Sequence, residues 1–228
     1  MIGFPHRAWG RPVLDLTVVV DDPVGRGMIR SSPGGEDPRR LVVRPAFGRD
    51  HARIDEVRRA NSEWLSPWEA TLPAGSTEIL PGLGEYRRRA DGQQRRGEAL
   101  FLVVEADGRA IGQVSIANVH GGAMSQAMIG YWIAGEWAGR GVGPLVTAVA
   151  LDMALGDLEL HRVEICVRPE NDRSLAVCRR LGLREEGLRE RYMNIAGRWA
   201  DHVVFVADAE SVPPGGYVVA GWGRGVDE

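Results

Sequence analysis

The sequence predicts a mixed α/β domain, and three stretches carry that prediction. Leu100 to Glu105 and Arg109 to Ala117 are β-prone runs joined through Asp107-Gly108, a dipeptide suited to a two-residue hairpin. Residues 127 to 147 read as an apolar strand, a turn with glycines at 139, 141 and 143, and a helix opening at Pro144 and Leu145. Residues 183 to 207 read as two more strands turning at Ala196-Gly197.

The remaining elements fall between these. Leu14 to Val20 reads as a strand near the start, and Arg40 to Pro45 as a short strand closed by proline. Asp50 is placed to cap the helix that follows, where Ile54 and Val57 recur at helical spacing. Residues 76 to 96 form an Arg-rich surface helix, and residues 118 to 126, with two glycines, form a loop. The helix from Pro144 to about Leu155 is apolar nearly all round, which predicts burial against the sheet. His161 to Arg168 alternates as a strand, and Asn171 caps a helix that Gly182 stops. From residue 40 the order is strand, two helices, three strands, helix, strand, helix, two strands, about seven strands and four helices. We therefore expect an N-terminal extension at 1–40 with a possible edge strand or hairpin, a domain at 41–208, and a Gly/Pro-rich tail at 209–228, mobile or an edge addition.

Composition narrows the function. The 228 residues carry a formal charge of -3, so no basic excess points to nucleic acid. All 28 cationic residues of the Lys/Arg class are Arg, a bias that suggests a GC-rich bacterial genome. Cys166 and Cys178 lack disulfide-framework or metal-ligand spacing, so we expect no metal and a reducing cytoplasm. Neither a signal peptide nor a run of ~20 apolar residues is evident, so no membrane association is expected.

The glycine-rich turn carries the first chemical signal. A helix start leaves amide groups without intrahelical partners at the positive end of the helix dipole, and glycines let that backbone approach an anion. The turn is thus a candidate pyrophosphate site.

With the motifs in order, the chain resembles the GNAT superfamily of N-acetyltransferases over about residues 40 to 208. The resemblance rests on Ala138-Gly139-Arg140-Gly141-Val142-Gly143, on Asn171-x-x-Ser174 and on Leu181-Gly182-Leu183-x-x-Glu186-Gly187. The signature's first position, usually Gln or Arg, is Ala138 here, and Arg140 supplies a cation two places later. Tyr192 to His202, Ile129-Gly130-Tyr131-Trp132-Ile133 and Leu65-x-Pro67-Trp68-Glu69 resemble the branch that acetylates ribosomal-protein N-termini, the RimJ and RimL type.

The resemblance implies a mixed, mostly antiparallel twisted sheet splayed in the middle, with acetyl-CoA as co-substrate. It places the amides of Arg140, Gly141, Val142, Gly143 and Leu145 on the pyrophosphate. Trp132, Ile133 and Ala134 would line the pantetheine, Ile133 would offer an amide to the thioester oxygen, and Asn171 would hold the cofactor arm. Better-studied members use a Glu base and a Tyr acid at positions that hold Cys166 and Cys178 here. As acid the resemblance favours Ser174, with Tyr192 second. Glu164, two residues from Cys166 on one strand face, is a candidate water-relayed base, with an ion-paired carboxylate as its plain reading. The cysteines are read first as inert core.

The acceptor is an amine, most simply the N-terminal α-amine of a protein. A small amine such as an amino acid, polyamine or aminosugar is the alternative, and a CoA-binding module without turnover is the alternative from another class. Trp64, Trp68 and Glu69 are the candidate acceptor wall, with Glu69 offered to the ammonium, and Asn118 and Tyr192 complete the set. The chain is expected to act as a monomer or homodimer.

Overall fold

The computed structural model describes residues 7–32 and 36–223. Its strands are β1 (Arg7–Ala8), β2 (Arg11–Pro12), β3 (Val18–Asp21), β4 (Arg40–Pro45), β5 (Leu100–Ala106), β6 (Arg109–His120), β7 (Gln126–Ile133), β8 (Arg162–Val167), β9 (Arg184–Ile195) and β10 (Arg198–Asp208). Its helices are α1 (Asp50–Ala60), α2 (Ser62–Leu65), α3 (Leu83–Arg96), α4 (Val142–Asp152), α5 (Asp172–Arg180) and α6 (Gly216–Trp222). Eight strands form one sheet in the order β3-β4-β5-β6-β7-β8-β10-β9, and β1 and β2 pair separately.

Every neighbour pair in the large sheet is antiparallel except β7 with β8. That parallel pairing covers only Gln126–Met128 against Arg162–Glu164. From Ile129 onward β7 pairs only with β6, while β8 remains on β10 along its whole length, so the sheet opens between β7 and β8. Local chemistry agrees with this path: the β5–β6 turn carries positive φ at both Asp107 and Gly108, and the β9–β10 turn at both Ala196 and Gly197.

α4 fills one face of the sheet. Val142, Leu145, Val146, Ala148, Val149, Ala150 and Leu151 are all buried, together with Ile129, Ile165 and Phe205 from the strands. At ~25 cal/mol per Å2 of apolar surface removed from water, burial of this layer stabilises the fold. The opposite face is thinner, with Trp132 packed on Ala46, Ile54 and Val103.

Several expectations are corrected. The N-terminal strand is shorter than Leu14 to Val20, because Val13–Leu16 forms a 3-10 turn and only Val18–Asp21 pairs with β4. It is the eighth strand of the sheet, and Leu16, Val20, Met28 and Ile29 enter the core. Asp50 is no forward cap. Its carboxylate accepts from Phe47 N and is paired with Arg44 and Arg53, which spends it on the loop behind the helix. The tail beyond residue 209 includes α6, whose first turn is held by Asp152 through Tyr217 N (2.6 Å) and Val218 N (3.0 Å).

Candidate active site

The opening along β7 leads into a cavity of about 400 Å3 bounded by the glycine turn, the first turns of α4, α5 and the Trp64–Trp68 segment. Ala134 N donates to Ile111 O at 2.8 Å, one step beyond the Gly112–Ile133 pair that ends the β6–β7 ladder. Because inward and outward backbone groups alternate along an antiparallel strand, Trp132 also bonds to β6, while Tyr131 and Ile133 turn their N–H and C=O groups toward the gap. Of the three residues expected along the pantetheine, only Ile133 therefore has a backbone free of β6. The Ile133 carbonyl accepts from Trp64 Nε1 at 3.1 Å, and Gly135 N donates to Asn61 Oδ1 at 2.9 Å, so the end of β7 is pinned from the α1–α2 corner. Gly112 allows this packing: a Cβ there would lie 2.5 Å from the Trp132 carbonyl oxygen. The sequence alone gave no signal for it beyond a glycine inside a strand.

In the turn, Gly139 and Gly141 take φ of 74° and 92°, which favours glycine, whereas Gly143 has ordinary helical backbone. Val142 and Gly143 occupy the first helical positions, where amides have no intrahelical acceptor. Leu145 is a correction: its amide donates to Gly141 O at 3.3 Å and its side chain is buried, so the helix has already used the donor. The cation expected from Arg140 is a second correction. Its guanidinium is buried, donating to Arg30 O (3.1 Å), paired with Asp37 (3.0 Å) and stacked 4.4 Å above Trp137. That cation is committed to the protein.

α5 lines the cavity with Asn171, Arg173, Ser174, Ala176, Val177 and Arg180. Asn171 Oδ1 accepts from Ser174 N at 3.1 Å, the helix cap that the sequence predicts. Opposite lies Tyr131, overlooked as a site residue in the sequence because it reads as one apolar step of a strand. Its hydroxyl is buried without a hydrogen bond of good geometry. Burial holds its pKa well above the usual tyrosine value, the Cys178 thiol adds to that, and Ser174 eases it.

The remaining expected residues lie elsewhere. Glu164 is 4 % exposed and paired with Arg162 (2.9 Å) and Arg189 (2.7 Å), so it is a structural anion and no free base. Glu69 is paired with Arg58 at 2.7 Å and does not line the cavity, although Trp64 and Trp68 do. Asn118 Nδ2 and Tyr192 Oη both approach the Met128 sulfur, at 3.3 and 3.6 Å, on the face of β7 opposite Tyr131. Neither lines the cavity. Cys178 is fully buried and its thiol is pushed up to about 12, chiefly by burial, which keeps it neutral and unreactive. Cys166 is raised by burial as well, against the opposing charge of Arg189. Among the described residues no cluster of His, Cys, Asp and Glu could hold a metal ion, and no helix is long and apolar enough to cross a membrane.

The cavity thus offers helix-start amides, a strand backbone facing a gap, and three guanidiniums, Arg30, Arg173 and Arg180, with no ion pair among the described residues. A family model described as the acetyltransferase (GNAT) domain matches residues 40–184. The chain belongs to this acetyltransferase family. A curated relative, the [ribosomal protein uS5]-alanine N-acetyltransferase of Escherichia coli strain K12, is 28% identical over 184 residues, spanning 77% of this chain and 91% of its own. Mycobacterium smegmatis RimJ, solved in complex with CoA-disulfide, is 33% identical with a TM-score of 0.73, covering 91% of this chain and 95% of its own. The Vibrio fischeri ribosomal-protein-S5-alanine acetyltransferase is 25% identical with a TM-score of 0.66, covering 75% and 94%. The chain is accordingly an N-acetyltransferase with acetyl-CoA as co-substrate. The residues present fit that group, since the cavity pairs amide donors and unpaired cations with an apolar channel.

Proposed function

We propose that the enzyme acetylates the N-terminal α-amine of a protein, with a ribosomal protein as the substrate class and the cytoplasm as its place of action. The observation that supports this reading most is the lining of the cavity, which among the described residues contains three Arg and four Trp around its polar groups and no Asp or Glu. A polyamine carries several positive charges and would be recognised by carboxylates. A protein N-terminus brings a single amine, with the remaining contacts made by backbone and small side chains. The near-full-length similarity to ribosomal-protein acetyltransferases points the same way.

Acetyl-CoA supplies a thioester acyl group. The chain's residues then have distinct tasks. The Val142 and Gly143 amides bind phosphate at the positive end of α4. The Ile133 amide is a donor for the negative charge that develops on the thioester oxygen. Ser174 and Tyr131 are the two hydroxyl side chains on the cavity, and one of them returns a proton to the departing thiolate. The strand and Trp walls hold the reactants together, which by itself accounts for a large share of the rate.

The test is acetylation of a panel of ribosomal-protein N-terminal peptides alongside spermidine and amino acids, read by thiol release and by mass. Turnover of N-terminal peptides above the small amines is expected. Preference for a small amine would overturn the acceptor assignment.

A further inference from the structure

The cofactor turn does not stand alone: a strap from outside the family-matched region lies along it. Arg30 N donates to Arg140 O at 2.7 Å, and Arg140 Nε donates back to Arg30 O at 3.1 Å, as in a two-residue ladder. Arg140 Nη2 reaches Asp37 Oδ1 at 3.0 Å. Asp37 also accepts from Ser31 Oγ (2.7 Å) and Ser32 N (2.9 Å), which closes the strap on itself. Gly141 sits against it, with Ile29 Cα and Met28 O 3.8 Å from where a Cβ would be. The far end is tied by Trp222 of α6, whose Nε1 donates to Met28 O at 2.7 Å.

These ties consume the one arginine of the glycine turn and bring another to the cavity. Arg30 is exposed, lines the cavity and has no ion pair among the described residues. Arg180 is in the same condition, and it stacks 5.0 Å above the Trp222 ring that holds the strap. Trp222 therefore links the two cations: it bonds the residue two before Arg30 and carries Arg180 on its face. Two unpaired guanidiniums beside helix-start amides, in a chain with net charge -3, are a phosphate-binding arrangement.

We propose that Arg30 is a phosphate ligand for the acyl donor, delivered to the cavity by the N-terminal strap and taking the place that Arg140 vacates by clamping that strap. The catalytic unit then begins well before residue 40. The proposal rests on the reading of this cavity as the acetyl-CoA site. Two phosphate sources are available in that ligand, the pyrophosphate and the 3′-phosphate, and they are separable.

The experiment is calorimetry of the full chain and its Arg30→Met variant with CoA and with 3′-dephospho-CoA, with steady-state kinetics in parallel. Met keeps an unbranched apolar stem and removes the charge at an exposed position, and an unchanged melting curve checks folding. A charge-assisted bond to phosphate predicts a loss of affinity of roughly tenfold or more. A loss for both ligands assigns Arg30 to the pyrophosphate, and a loss for CoA alone assigns it to the 3′-phosphate. KM for acetyl-CoA should rise while kcat holds, and Arg30→Lys should restore part of the affinity. Equal binding of both ligands by wild type and Arg30→Met overturns the proposal while leaving the cavity assignment intact. Failure of the wild-type chain to bind CoA would overturn the cavity assignment itself.

Discussion

The indole nitrogen of Trp64 donates to the Ile133 carbonyl across 3.1 Å, joining the α2 corner to the one residue at the end of β7 whose backbone faces the gap. This bond fixes the peptide that follows Ile133 and, through it, the strand end that borders the thioester. Trp64→Phe keeps the ring but leaves the carbonyl without its partner, a change of about 1 to 2 kcal/mol. For a chain of this size the melting temperature should fall by roughly 2 to 4 °C per kcal/mol. If the bond also positions the Ile133 amide, kcat falls more than KM rises. A lower melting temperature with unchanged kcat would restrict Trp64 to a structural role.

Gly141 separates backbone from steric demand. A Cβ at this position meets nothing closer than 3.8 Å, yet φ is 92°. Gly141→Ala should therefore fold with a penalty of about 1 to 2 kcal/mol from the left-handed backbone alone. Gly141→Asn should recover part of that, because Asn tolerates this region better. Gly141→Glu adds a carboxylate to the phosphate pocket and should abolish detectable CoA binding at any temperature where the variant is folded. Unchanged CoA affinity in Gly141→Glu would refute the pocket assignment.

The two cavity hydroxyls make a discriminating pair. Ser174→Ala and Tyr131→Phe each remove one hydroxyl with little change of shape, and the Tyr131 hydroxyl forms no well-formed hydrogen bond to lose. The variant lacking the proton donor should lose about 10²-fold or more in kcat with CoA affinity within twofold. Since burial raises the Tyr131 pKa, this hydroxyl stays protonated at alkaline pH, and a Tyr131-dependent reaction should show no alkaline fall from it. Full activity of both variants would leave water as the proton source.

What the sequence revealed and what it hid follow one physical line. Backbone-determined features were readable: the hairpin at Asp107-Gly108 and the glycine turn before α4 depend on local φ, which residue type reports directly. The Asn171 cap is local in the same sense. Pairings between distant residues were not readable. Nothing near Arg140 in the chain shows that Asp37, 103 residues earlier, takes its charge. Glu164 looks like a candidate base until Arg189 arrives from another strand. Tyr131 reads as core in the alternation of β7, and its exposure to the cavity comes only from the divergence of β8. Val13–Leu16 passed for strand because apolar spacing in four residues does not separate a 3-10 turn from an extended run.

Glu186 supplies a pH-dependent prediction. Arg162 on β8 (2.6 Å) and Arg184 on β9 (2.8 Å) bond its carboxylate and lower its pKa to about 2, and Arg184 also holds Asp208 of β10. The carboxylate thus ties β8 to β9 across β10. The folded value is below the unfolded value of ~4.3, so the native state favours the charged form. Its contribution is fully present above the unfolded pKa and is lost as pH falls from about 4.5 toward 2. Glu186→Gln should therefore lower the urea midpoint at pH 7 and make stability less steep between pH 4.5 and pH 2 than in the wild type. Solvent screening keeps the effect modest, and high salt should shrink it further. A variant with the wild-type pH dependence through that window would show that the two arginines add nothing to stability through Glu186.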